Sequence, residues 1–183
     1  MTKIGHPAPH FRAPALVGGN LLLLDSTGLR GRSFTLCFLP PLGLLERAVL
    51  EHRVQDFEAE KAFFLGVVDE GALFFGPWQK DLWPRGLTLT ADPLGRLSRS
   101  FGVSRYRPPA RCQSFVIDAL GILRYHLVHD LNDRGMRALL EILKATASAS
   151  HGQEAPSDQS GTEAEGRRLV GTAKERAPMS FPS

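Results

Sequence analysis

The chain carries two thiols, Cys37 and Cys112. A thiol can exchange electrons or, as a thiolate, ligate a soft metal. The two lie far apart in sequence and neither belongs to a C-x-x-C, which excludes a thioredoxin-type redox pair and a zinc site built mainly of cysteine. Cys112 follows Arg111 and lies near Arg107. Cations lower a thiol pKa, so Cys112 is the stronger redox candidate. Cys37 sits inside an apolar run and reads first as a buried packing residue. Its second reading is a redox partner for Cys112, which requires Cα atoms within about 7 Å. His126, His129 and Asp130 have metal-ligand side chains, but two histidines three apart at a strand end need not converge. No metal or other cofactor is expected. His6 and His10 fall in a proline-rich leading segment and read as exposed.

These groups need a frame. Residues 33–41, SFTLCFLPP, form a nearly continuous apolar run, which reads as a strand buried on both faces. A helical pattern follows over 44–63, with Leu50, Val54 and Phe57 on its inward side. A second buried strand is expected at 64–68. Residues 71–83 read as a helix or pair of turns interrupted by Pro77. Their aromatic residues Phe74, Phe75, Trp78 and Trp83 read as a local core rather than a partner surface. Residues 87–90 alternate and predict a short edge strand, and 92–101 a short helix.

Residues 114–117 and 122–128 predict a β-hairpin around the turn Asp118-Ala119-Leu120-Gly121. Leu123, Tyr125 and Leu127 are expected on one face, Arg124 and His126 on the other. The last helix has an N-cap candidate at Asn132 or Asp133 and a stripe at Met136, Leu139, Leu140 and Leu143. A leading hairpin is expected around Gly18-Gly19-Asn20. Composition changes after Thr146, so a domain over 1–146 and a disordered tail over 147–183 are expected.

The chain has 183 residues, enough for one true core, and a net charge of +3 that is well mixed. No run approaches the length of a membrane span, and the N-terminus lacks a secretory h-region, so a cytoplasmic location and no membrane partner are expected. The densest basic stretch, residues 104–111, contains Arg105, Arg107 and Arg111 around two prolines. It reads as a solvated loop, with nucleic-acid association the weaker reading. The element order predicts an α/β chain of thioredoxin-like fold: a central mixed sheet, helices on both faces and an N-terminal hairpin extension.

At this level the chain resembles the peroxiredoxins, the alkyl hydroperoxide reductase and thiol-specific antioxidant family, over residues 3–145. Gly5-His6-Pro7-Ala8-Pro9-His10-Phe11 is similar to the family's G-x-x-A-P-x-F opening. Leu29-Arg30-Gly31-Arg32 before Phe34 to Pro40 resembles its L-x-G-K lead-in and F-x-P strand end. Leu65-Gly66-Val67-Val68 resembles its second strand. Ala91-Asp92-Pro93 with Phe101-Gly102-Val103, and Ser114-Phe115-Val116-Ile117-Asp118 with Gly121, resemble two further motifs.

The resemblance implies a possible homodimer and, for an active protein, a thiol reductant protein as partner. It also implies a catalytic P-x-x-x-T-x-x-C, with the cysteine in the first turn of the helix after the central strand. Here Leu44 and Arg47 hold the threonine and cysteine positions counted from Pro40; counted from Pro41 they are Leu45 and Ala48. The family arginine before the hairpin strand corresponds to Cys112, with Arg111 one place earlier. Two functions follow from the resemblance. One is a peroxiredoxin-like protein without peroxidatic activity, acting in binding, regulation or structure. The other is a divergent thiol peroxidase or thiol–disulfide oxidoreductase using Cys112 and Arg111, resolved by Cys37.

Overall fold

A computed structural model describes residues 2–68, 86–92, 94–104 and 111–151. The expected 71–83 segment with its four aromatic residues, Arg105 and Arg107 of the basic loop, and most of the expected tail lie outside the described residues.

Strands β1 (Arg12–Val17) and β2 (Asn20–Asp25) form the leading hairpin. Its two-residue turn, Gly18-Gly19, has φ of 55° and 74°. Two left-handed positions in succession suit glycine, and the resulting turn matches the twist of the paired strands. A 3₁₀ turn at Ser26–Leu29 follows, capped by the Asp25 carboxylate, which accepts from Thr27 N at 2.9 Å.

The central strand β3 (Phe34–Phe38) is buried at every position. Helix α1 (Leu44–Ala59) buries Leu50, Val54 and Phe57 as the periodicity predicts. It stops short of residue 63 because Lys61 turns left-handed at φ 54°, and Ala62 N reaches back to Phe57 O at 2.8 Å. Then follow β4 (Phe63–Val68), β5 (Thr88–Ala91), a short helix α2 (Arg96–Phe101), β6 (Cys112–Ile117), β7 (Leu123–His129) and helix α3 (Asp133–His151). Asn132 caps α3, its Oδ1 accepting from Gly135 N at 2.8 Å. The helix continues five residues past Thr146.

The strands make one seven-stranded sheet in the order β2-β1-β5-β4-β3-β6-β7. β3 runs parallel to β4, and β4 to β5; the other neighbours are antiparallel. This is a mixed α/β thioredoxin-like architecture. β5 is not the edge strand that its alternation suggests. The leading hairpin covers its free side, pairing Leu16 with Leu89. The threonines of β5 tolerate burial because a hydroxyl can find a backbone partner, as Thr90 Oγ1 does at Pro14 O, 2.7 Å away. The outer edge is instead β2, where Leu21, Leu22 and Leu23 are exposed.

Strand alternation divides the core into two layers. Cys37, Leu39, Cys112 and Val116 face α1 and α3, against Leu50, Val54, Met136 and Leu139. Phe34, Leu36, Phe38, Phe115 and Ile117 face the other way, against Leu97 and Phe101 of α2. β7 departs from the expected alternation. A bulge lies between the pairs Val116–Tyr125 and Ile117–Leu123. It places Leu123 on the aromatic side and Tyr125 on the opposite side, so the two do not share a face. No helix of the described residues is long and apolar enough to cross a membrane.

Candidate functional site

The site is assembled by sheet register. Cys37 on β3 stands opposite Ser114 on β6, and Cys112 lies two residues along the same face of β6. On the far side, Cys112 stands opposite His129, the last residue of β7. Alternation therefore puts Cys37, Ser114, Cys112 and His129 on one face, under the first turns of α3. The two thiols and the nearest imidazole nitrogen all lie within 4.8 Å of one another. Both cysteines are free thiols, each 0% exposed.

His129 is fixed from both ends. Its Nε2 lies 2.8 Å from Ser114 Oγ, and its Nδ1 lies 3.0 Å from Asp130 O. The carbonyl can only accept, so Nδ1 carries a proton and Nε2 points into the thiol cluster. Gly135 makes this packing feasible. A Cβ there would collide with Asp130 O and come within 3.0 Å of His129 Nδ1.

The electrostatics separate the thiols. Burial pushes Cys37 up, but hydrogen bonds from Cys112, His129 and Ser114 and the charge of His129 outweigh it, bringing the thiol from an ordinary 9.0 down to about 6. Cys112 is pushed far up, chiefly because its proton is held by Cys37, and then by burial and the charge of Asp130. Burial works to lower His129, yet the hydrogen bond and charge of Cys37 and the Asp130 carbonyl raise it. The arrangement favours one thiolate, one thiol donating to it and one imidazolium beside them. Such a cluster can attack an electrophile or, after losing its protons, ligate a soft metal.

The remaining candidates are dispersed. Arg111 pairs with Asp130 at 2.6 Å across an exposed surface. His126 lies on the other side of the sheet, stacked on Phe115 with ring centroids 4.3 Å apart. The metal trio His126, His129 and Asp130 therefore does not assemble. His10 pairs with Asp25 at 2.9 Å. In the first turn of α1, Leu44 and Leu45 are exposed and Arg47 Nε donates to Gly43 O at 3.3 Å. What the residue types alone missed is His129 as the partner of both cysteines; the available signal was its place near the end of the strand paired with β6.

No family model matches the chain. It is 28% identical over 168 residues to Peroxiredoxin-2 of Macaca fascicularis, covering 84% of both chains. It is 29% identical over 141 residues to Peroxiredoxin-2 of Pongo abelii, covering 70% of this chain and 79% of that one. Over most of its length the chain is similar to peroxiredoxins. Among solved structures, the mitochondrial 2-Cys peroxiredoxin from Plasmodium falciparum superposes with a TM-score of 0.67 at 20% identity, over 84% of this chain and 99% of that one. AhpC of Enterococcus faecalis gives 0.66 at 20% identity, over 85% and 99%. At that identity the structures speak for the fold. The chain differs from the family motif quoted above in that helix α1 contains no cysteine.

Proposed function

We propose that this chain keeps the peroxiredoxin-like fold without first-turn thiol chemistry and acts by binding rather than by peroxide turnover. One observation carries the reading: its two thiols, Cys37 and Cys112, are both 0% exposed and both lie on strands of the sheet. Thiols that turn over peroxide need access as well as a low pKa. The first turn of α1, with Leu44, Leu45, Glu46 and Arg47, offers no replacement nucleophile. A cytoplasmic location is carried over to this reading from the sequence. A homodimer is carried over from the resemblance, and sedimentation of the full chain tests it.

A second reading reverses the roles expected from the sequence, because Cys37 is the thiol that is lowered while Cys112 is raised by Cys37, burial and Asp130. In it, the Cys37 thiolate attacks one oxygen of a hydroperoxide and the O–O bond breaks. The alcohol leaves with a proton from His129, and Cys37 becomes a sulfenic acid. Cys112 then attacks that sulfur, the S–O bond breaks, and water leaves as the disulfide forms. Two thiols of a reductant protein restore the pair. The diagonal placement of the cysteines opposes this closure. Diagonal strand neighbours have Cα atoms about 7–8 Å apart, at or beyond the roughly 7 Å that a disulfide spans.

Hydroperoxide consumption with dithiothreitol distinguishes the two. The first reading expects no turnover above the reductant blank in the native protein, Cys37→Ser or Cys112→Ser. Turnover that disappears in Cys37→Ser supports the second and removes the first.

A further inference from the structure

We propose that Cys37, Cys112 and His129, which sheet register gathers despite the sequence separation that spoke against a metal, form a zinc(II) site buried between the sheet and helix α3. The inference rests on the reading that these thiols serve in binding rather than turnover, and it names the ligand.

Three observations carry it. First, three donors from three different strands converge with their ligating atoms within 4.8 Å of one another. Tetrahedral zinc, with Zn–S near 2.3 Å and Zn–N near 2.0 Å, sets donors about 3.5–3.8 Å apart. Drawing each donor in by roughly 1 Å or less reaches that spacing, within the range of side-chain adjustment. Second, His129 is already oriented. Its Nδ1 is engaged by the Asp130 carbonyl, an outer contact that typically fixes the tautomer of a ligating histidine. This leaves Nε2 as the donor. Third, the charge closes. Two thiolates and one divalent cation sum to zero, which suits a site whose thiols are fully shielded from water. Ser114, 2.8 Å from Nε2, is placed to take the fourth position through its hydroxyl or to hold a water there.

Soft thiolates with an imidazole select zinc over magnesium or calcium, which prefer oxygen donors. The same geometry that makes a direct disulfide awkward favours an ion between the sulfurs.

The test uses the reduced full chain under nitrogen, supplied with zinc chloride and then passed through a desalting column. Elemental analysis of the eluate is expected to find one zinc per chain. Cobalt(II) in its place is expected to give a thiolate-to-metal charge-transfer band. Cys37→Ala and Cys112→Ala are each expected to weaken retention by more than about 100-fold, beyond what losing an outer partner of a ligand costs. His129→Gln, which keeps both thiols and the packing, is expected to weaken it at least about 10-fold. Zinc retained equally by all variants, or a cobalt complex without the charge-transfer band, overturns the proposal. So does absence of retained zinc in the native chain. Peroxide turnover by the zinc-free protein is read separately. Turnover with zinc retention removes the binding-only reading and leaves the site standing; no turnover and no retention removes the site alone.

Discussion

His126 and His129 lie three residues apart on one strand and meet opposite environments. His126 stacks on Phe115 but is itself exposed, and partial desolvation against the ring lowers its pKa. His129 is also burdened by burial, but a thiolate and a carbonyl reverse the sign and raise it. An odd spacing on a strand is enough to send the side chains to opposite faces. Burial alone therefore does not set the proton affinity of a residue; the groups buried with it do. The two layers differ accordingly. One is held by ring packing among Phe38, Phe101 and Phe115, the other encloses a titratable cluster within an apolar shell.

The contrast can be broken from either side. Phe115→Ala removes a ring that is 2% exposed, and is expected to cost about 3–5 kcal/mol in urea unfolding. It should disturb the titration of His126 and leave His129 raised; equal movement of both would mean that the layers are not separate. Gly135→Ala acts on the other layer. In an open helix interior this change stabilises by about 1 kcal/mol. Here the added methyl meets Asp130 O, so a loss of about 1–3 kcal/mol is expected, with a shift in the His129 titration by nuclear magnetic resonance.

The pH dependence has a defined sign. Cys37 is lowered from 9.0 to about 6, so its contribution to stability is present above pH 9 and is lost as pH falls through about 6. His129 is raised, so its own contribution is present below its ordinary 6.5 and is lost as pH rises through the folded value. Denaturation curves taken across this range should show the Cys37 contribution growing between about pH 6 and 9. Cys37→Ser should abolish that growth and let His129 fall to its ordinary value or below. Smallest of all, Arg111→Ala breaks an exposed pair with Asp130 and is expected to change stability by less than about 1 kcal/mol. A larger loss would show the pair to be coupled to the thiol cluster beneath it.

The elements were legible because periodicity reports burial directly. Phe34 to Phe38 is apolar at four of five positions, and the α1 stripe Leu50, Val54 and Phe57 has helical spacing. The role of β5 was less legible, since its alternation cannot show that β1 folds back to cover it. The site was half legible. The inward position of Cys37 follows from the central strand, but the partner of Cys112 depends on hairpin register. A four-residue turn over Asp118 to Gly121 with an unbroken ladder would set Cys112 opposite Leu127. The observed turn pairs Asp118 with Ile122, and the bulge adds one more residue, which brings His129 to Cys112. Asp118 holds that turn, its buried carboxylate accepting from Leu120 N, Ile122 N and Arg124 Nε. The two steps together shift the pairing by two residues, which keeps the face and exchanges Leu127 for His129 opposite Cys112, and no residue pattern records it.

At the opposite margin of the sheet, the outer edge of β2 leaves a row of backbone groups without a neighbouring strand among the described residues. Leu21, Leu22 and Leu23 stand exposed beside it, with no lysine or proline to interrupt them. Such an edge is a template for another copy of itself. The consequence is colloidal: concentrated samples are expected to associate edge to edge, and Leu22→Lys, which alters neither core layer, is expected to keep them dispersed in light scattering.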